Sequence, residues 1–459
     1  MKRAAGGAEA RYEMMTRESI PKLIARLSVP TILSMLISNI YNLVDTAFVG
    51  QLGTSQSAAI GVVFGFMAII QAVGFLFGQG AGSISARLLG ARDEEGASRV
   101  ASSGVVCSFG LGVVISVVAA CFIDPIIRLL GSTETIAPYA KQYMTYILIA
   151  APAMTCSYTM NNLLRYEGKA SLGMVGMMIG AILNIALDPL LMFAMDMGIA
   201  GAAIATASSQ IISFFILMSM YLRRKTTIQV SPRKADFHIK TIGDITTTGM
   251  PSLLRQVLNS LATILLNSSA APYGDEAVAA MSIVARVSFF VFALALGIGQ
   301  GFQPVAAFNY GAKKYARLRK AFNVTVIMAE SILIIMAGAG LIFSGQLIGL
   351  FRDDPKVIEI GTRALQLQFV TLVFLPFTMA AEMLYQSTGH RIGAALMSAA
   401  RSGLFFIPSL LILSAVRGLA GIQEAQPLAY VLSFPMALFY VIRFWKLVPS
   451  TDQEDSSRI

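Results

Sequence analysis

Twelve stretches of roughly 20 or more predominantly apolar residues punctuate this chain, and that pattern leaves few folds open. They lie at 28–50, 58–85, 100–123, 138–164, 171–195, 199–222, 247–271, 279–306, 321–345, 359–386, 392–416 and 425–445. Hydrophobic residues make up 56% of the chain and charged residues only 13%, about half the share of a soluble domain. Too little polar surface remains to coat a water-exposed globule, so the apolar excess faces lipid. Inside hydrocarbon every backbone N–H and C=O needs a partner within the protein, and a helix supplies one locally. The short alternating strands of a membrane barrel do not occur. The expected fold is an all-α polytopic membrane protein with twelve transmembrane helices.

Residues 1–22 are polar and charged, so no cleavable signal peptide is expected and span 28–50 serves as the first anchor. Most of the 35 Lys and Arg fall on one side of the membrane. The richest segments are the N-terminal tail (Lys2, Arg3, Arg11, Arg17, Lys22, Arg26), the central loop (Arg223, Arg224, Lys225, Arg233, Lys234, Lys240) and the loop with Lys313, Lys314, Arg317, Arg319 and Lys320. This positive-inside bias puts both termini in the cytoplasm, with the plasma (inner) membrane as the expected location. The net charge of +10 then reads as contact with anionic lipid headgroups rather than with nucleic acid. Cys107, Cys121 and Cys156 are isolated within spans, and His238 and His390 lie on separate loops. None has metal or disulfide spacing, and no cofactor is expected.

The chain repeats itself at a fixed offset of 221 residues. Pro30 pairs with Pro251, Gly53 with Gly274, Gly78-Gln79-Gly80 with Gly299-Gln300-Gly301, Gly90-Ala91 with Gly311-Ala312, Arg92 with Lys313, and Gly168 with Gly389. Each repeat holds six spans, an even number, so both enter the membrane in the same orientation. The expected organisation is a tail (1–27), a first lobe (28–222), a basic linker (223–246), a second pseudo-symmetric lobe (247–445) and a C-terminal tail (446–459). Parallel repeats of this kind create a cavity that rocking exposes to each side in turn. A duplicated bundle without transport is the alternative. Stripes of small residues, such as Gly173, Gly176 and Gly180, suit close helix contact under either reading.

Ionisable residues at membrane depth are costly, about 2.5–3.5 kcal/mol on insertion scales, and mark functional candidates. Seven stand out: Asp45, Asp188, Arg255, Arg286, Glu330, Glu382 and Arg401. Asp45, Asp188 and Thr206 all fall about 8–10 Å below the outer boundary at 1.5 Å per residue. Asn184 precedes Asp188 by one turn, as Tyr41 precedes Asp45, so each pair shares a helix face. Such oxygens suit a hard cation such as Na⁺. Two carboxylates close together in low dielectric also resist double ionisation, which makes a proton site. Polar glue between helices is the plainer alternative. The acids are not duplicated: Asp45 corresponds to Leu266 and Asp188 to Ser409. Arg255 and Glu382 share the inner half of the membrane, where they form either an ion pair or part of a substrate cavity. Arg286, Glu330 and Arg401 lie nearer mid-depth, where Glu330 is placed to pair with either arginine or to attract cationic substrates. Methionines such as Met174, Met177 and Met178 fit either packing or an adaptable cavity.

The segment Tyr41-Asn42-Leu43-Val44-Asp45-Thr46-Ala47-Phe48-Val49-Gly50, followed by Leu52-Gly53, resembles the first-helix signature of the multidrug and toxic compound extrusion (MATE) family. Leu183-Asn184-Ile185-Ala186-Leu187-Asp188-Pro189 resembles its fifth-helix motif. Asn161-Asn162-Leu163-Leu164-Arg165-Tyr166-Glu167-Gly168 and Gly249-Met250-Pro251-Ser252-Leu253-Leu254-Arg255-Gln256 are similar to prokaryotic, MepA-like multidrug exporters. The resemblance covers essentially the whole chain. It implies two six-helix lobes that export small drugs or metabolites as H⁺ or Na⁺ enters. It also implies a cation site at Asp45, Asn184, Asp188 and Thr206, and a bend of the first helix at Pro30. Some members carry an acid early in the seventh helix; Leu253-Leu254-Arg255-Gln256 has none.

Rival classes are a lipid-linked oligosaccharide flippase, which calls for a more basic central cavity, and a membrane receptor or scaffold. An enzyme is disfavoured by short loops without HExxH, GxSxG or a P-loop. The expected partners are small molecules and membrane lipids, and the expected state is a monomer. Substrate identity and the choice between H⁺ and Na⁺ are not legible.

Overall fold

In the computed structural model, residues 2–223 and 225–452 are described, with side chains from Glu9 onward. Readings that fall on Lys2, Arg3, Arg224 and 453–459 lie outside the described residues or side chains. All regular structure among the described residues is helical. The first repeat runs α1 (Lys2–Arg17), α2 (Ile20–Gly50), α3 (Thr54–Gly90), α4 (Glu94–Cys121), α5 (Ile123–Leu129), α6 (Ala137–Tyr166), α7 (Ala170–Pro189) and α8 (Gly198–Leu222). The second runs α9 (Ile239–Ala270), α10 (Asp275–Gly311), α11 (Tyr315–Gly349), α12 (Pro355–Thr371), α13 (Leu375–Thr388), α14 (Arg391–Ala399), α15 (Phe406–Arg417) and α16 (Leu419–Leu447). The pairs α12/α13 and α14/α15 each make one span.

Ten of these spans are long and apolar enough to cross a membrane. The two that fall short in apolarity, α6 and α9, have 30 and 32 residues and are long enough. Their polar residues turn inward rather than to lipid. On α6, Thr155 donates to the Ser108 carbonyl at 3.0 Å and Thr159 to Ser108 Oγ at 2.8 Å. On α9, Gln256, Asn259, Ser260 and Thr263 line a cavity. This is a multi-pass membrane protein with the helix order of the sequence reading. What that reading did not see is α1, and the start of α2 and α9 some eight residues early, at Ile20 and Ile239.

Prolines set the irregularities. Without an N–H, and clashing with the carbonyl four residues back, proline breaks the regular ladder. A 3₁₀ turn at Leu372–Phe374 precedes Pro376, and π-helical turns at Ala400–Leu404 and Leu190–Ala194 adjoin Pro408 and Pro189. Helix ends are fixed by local chemistry. Asp93 caps α4 by accepting from Gly96 N at 2.8 Å, and Asp354 caps α12 by accepting from Lys356 N at 2.9 Å.

Cα packing divides the chain into two units: Met1–Arg11 with Leu33–Gly249, and Tyr12–Ile32 with Met250–Ile459. In the first, Gly74, Gly78 and Gly82 on α3 meet Tyr158, Asn162 and Tyr166 on α6, one turn apart on both helices. A methyl added at Gly78 meets Asn162 Cβ at 2.8 Å, so only glycine permits this approach. In the second unit the repeat partner Gly299 meets Met383. Gly80 lies against the backbone of Ile245 and Gly249 in the first unit, and its partner Gly301 against Ser28 in the second. These contacts explain why each unit claims a helix start from the other end of the sequence. The duplication also shows in backbone torsions, with positive φ at Arg92 and Lys313 (63° and 55°) and at Gly168 and Gly389 (82° and 85°).

Candidate coupling and substrate sites

The first unit gathers its acids at one place. Asp45 comes from α2, Asn184 and Asp188 from α7 and Thr206 from α8, and all four are at most 2% exposed. Asn184 Nδ2 donates to Asp188 Oδ1 at 3.3 Å and to Thr206 Oγ1 at 3.2 Å. One amide thus ties the two helices together. Tyr143 of α6 shares a hydrogen bond with Thr206 at 3.3 Å, and Gln210 Nε2 reaches Tyr41 OH at 3.5 Å. Asp45 and Asp188 lie within electrostatic reach of each other, and both lie within reach of Tyr41 and Tyr143. Tyr41, Asn184, Thr206, Ser209 and Gln210 border a cavity with room for little more than one water-sized occupant.

The hydrogen-bond account of this cluster does not close. Both oxygens of Asp45, Oδ2 of Asp188 and Oδ1 of Asn184 are buried without a hydrogen-bond partner among the described residues. Buried carboxylates left this way carry a large desolvation penalty unless a proton or a cation meets them. Among the described residues no group of three or more His, Cys, Asp or Glu is arranged to hold a metal. A set of two carboxylates, an amide and a hydroxyl is instead a hard, oxygen-only donor set. Tyr143 and Gln210 were not singled out in the sequence. A tyrosine inside a span looks like packing until its hydroxyl is seen to need a partner.

The second unit is built differently. Arg255 on α9 and Glu382 on α13 are each 4% exposed, and the Arg255 guanidinium donates directly to the Glu382 carboxylate. Ser252 Oγ accepts from Arg255 at 3.4 Å and from Gln386 at 2.9 Å, and Gln303 Nε2 donates to Gln386 Oε1 at 2.9 Å. The two charges form an ion pair, and Glu382 also borders a small cavity with Met379, Met397 and Arg401. Glu330 pairs with neither candidate arginine: it is half-buried on α11, its Oε1 lacks a hydrogen-bond partner among the described residues, and Arg286 is exposed on α10. Arg401 instead lies over the Phe292 ring, 4.3 Å from its centre, and reaches Met379 Sδ at 3.0 Å. The π-helical turn that carries Arg401 sets it on the wall of a cavity of about 320 Å³ with Asn259, Gln368, Phe289 and Tyr430.

One buried network belongs to neither site. Arg11 of α1 pairs with Glu167 at 2.7 Å, with Thr227 joined to both and Lys169 3.2 Å from the same carboxylate. Outside the spans, Asp236 of the central loop accepts from His238 N at 2.9 Å and Thr241 Oγ1 at 2.7 Å. These bonds hold its carboxyl below the usual range.

A duplicated multi-pass helical membrane protein with an acid cluster in one repeat is the class that fold and site define. The sequence profile of the MatE family matches it twice, at residues 30–190 and 251–412, and the chain belongs to that family. It is 28% identical over 402 residues to the multidrug export protein MepA of Staphylococcus aureus (strain NCTC 8325 / PS 47), covering 87% of this chain and 89% of that protein. To MepA of Staphylococcus haemolyticus (strain JCSC1435) it is 28% identical over 424 residues, covering 92% and 93%. Among solved structures, a MATE in complex with MaL6 is similar at a TM-score of 0.88 and 28% identity, over 95% of this chain and 98% of that one. An outward-facing multidrug resistance MATE family transporter of the MOP superfamily is similar at 0.88 and 28%, over 94% and 98%.

Proposed function

We propose that this chain is a secondary multidrug exporter: an antiporter, not an enzyme, that expels small organic compounds, amphipathic cations among them, by alternating access. The coupling ion is H⁺ or Na⁺, taken up at Asp45, Asn184, Asp188 and Thr206. The observation that carries this reading is the set of buried acceptor oxygens on Asp45, Asp188 and Asn184 that no donor among the described residues satisfies. Family membership and the export proteins among the relatives support it.

The mechanism follows from charge. A monovalent cation arriving from outside cancels one of the two negative charges that Asp45 and Asp188 can carry, which relieves their repulsion and part of the desolvation penalty. α2 then rearranges at Pro30, where the helix already lacks a backbone donor. A ligand shifts such an equilibrium only by its differential affinity for the two states, so drug and cation each favour the state the other disfavours. The chain resides in the plasma membrane as a monomer, with both termini and the basic loops against cytoplasmic anionic headgroups.

The test is dye efflux by the full chain in liposomes, with Na⁺ and pH gradients imposed separately. One of the two gradients drives export, and Asp45→Asn abolishes it while expression and monodispersity persist. Undiminished efflux by Asp45→Asn rejects the assignment.

A further inference from the structure

The second unit holds a cation that the coupling mechanism does not use. Arg401 is 8% exposed and lies near the middle of the apolar span Arg391–Arg417. Among the described residues it has no carboxylate within ion-pair distance. Its partners are a ring face and a thioether, both weak for a full charge. Glu382 is within electrostatic reach, but that carboxylate is held by Arg255, so the three charges sum to one excess positive.

The surrounding cavity is lined by amides, hydroxyls and aromatic rings, with Arg401 the one charged group among its lining residues. No Asp or Glu lines it, while Arg401 also borders a much smaller cavity that Glu382 lines. Asn259 Oδ1 accepts from Ser402, and Gln368 Oε1 accepts from Ser288. Each carbonyl oxygen already holds one donor, and both amides carry N–H groups to offer as well. Tyr430 adds a hydroxyl, and Phe289 and Phe406 supply apolar walls. At about 320 Å³ the cavity is at the lower end of the size that takes a drug-sized molecule.

We infer that this cavity seats the negatively charged group of an amphipathic organic anion or zwitterion, with Arg401 as the anchoring cation and Asn259 and Gln368 as flanking donors. Such a ligand supplies the counter-charge that Arg401 lacks, in a medium where an unpaired ion is costly. That the ligand is an export substrate rests on the reading above; that it binds does not.

The experiment uses the full chain in phosphatidylcholine nanodiscs and three fluorescent probes: dansylglycine (an anion), dansylglycinamide (its neutral counterpart) and ethidium (a cation). Dansylglycine is expected to bind at least tenfold tighter than the amide. Arg401→Gln removes that preference and leaves amide binding within twofold, while Arg401→Lys retains most of it. If Arg401→Gln does not purify as a monodisperse species, Asn259→Leu serves, with a several-fold loss confined to dansylglycine. Equal binding of acid and amide by the unaltered chain, or an undiminished preference in Arg401→Gln, overturns the proposal. So does displacement of dansylglycine by about 20% phosphatidylglycerol in the disc, since the occupant is then a lipid headgroup. A chain that prefers the anion but exports nothing defeats the export reading alone. One that exports ethidium without preferring the anion defeats this proposal alone.

Discussion

The two repeats place a cavity at the same address and furnish it with opposite charge. At the 221-residue offset, Ser38 becomes Asn259, Tyr41 becomes Ala262, Asp45 becomes Leu266, Gly180 becomes Arg401 and Ser209 becomes Tyr430. All but Asp45 border the small cavity of the first unit, and all five second-repeat residues border the larger one of the second. In the first unit Tyr41 fills space and two carboxylates gather around an amide; in the second, small and apolar residues stand in their place and an arginine enters where a glycine was. The order of the spans was kept, as was positive φ at Gly53 and Gly274, Arg92 and Lys313, and Gly168 and Gly389. Scaffold and site chemistry thus answer to different constraints. Packing tolerates few changes where a glycine lets two helices touch: Gly78 and its repeat partner Gly299 are both glycine, against Asn162 and Met383. A cavity wall tolerates many.

This contrast is open to attack, most directly at Asp45. Asp45→Asn and Asp188→Asn each reduce cation-driven efflux to background, because an amide neither carries the counter-charge nor exchanges the proton. An effect of equal size from altering Leu266, the repeat partner, erases the asymmetry.

Next in size is the ion pair of the second unit. Arg255→Ala leaves Glu382 buried and unpaired and costs about 3–5 kcal/mol of stability, read as thermal unfolding in detergent. Replacing both partners, Arg255→Met with Glu382→Leu, restores most of it, as expected if the pair is structural. A double variant as unstable as the single one assigns these charges to the cavity instead.

A smaller effect is expected at Thr206. Thr206→Val removes one oxygen, the one that accepts from Asn184 and shares a hydrogen bond with Tyr143. The half-saturating cation concentration rises about tenfold, the equivalent of one hydrogen bond of about 1.4 kcal/mol, with maximal rate little changed.

The smallest concerns Asp236, which lies outside both cavities. Its folded-state pKa is depressed below 3.8, so its contribution to stability is present above that value and is lost as pH falls through the folded pKa. Asp236→Asn therefore lowers the unfolding midpoint slightly at neutral pH, and the difference from the parent chain vanishes in acid. A difference that grows in acid reverses the sign and refutes it.

The spans were legible because hydrocarbon imposes a length and a composition that nothing else in the chain imitates. The acids were legible as lone charges within those spans. What hydropathy conceals is helix that continues into water, which is why α1 and the early turns of α2 and α9 escaped notice. Pairing was legible only where depth and spacing narrowed the choice. Arg255 and Glu382 shared a level, whereas Glu330 and Arg401 shared only an approximate one, and the π-helical turn at Ala400–Leu404 turns Arg401 toward Phe292 instead. No periodicity announces such a turn, and none announces Tyr143.

Residues 12–32 pack with the second unit and 239–249 with the first. A gene cut within the central loop, the natural seam between the repeats, therefore encodes two products that each lack a piece of their own interior. Expressed singly, each product is expected to fold poorly, and expressed together the two are expected to recover stability, read as monodispersity in detergent. The boundary between the sequence repeats is thus not the boundary between the packed units.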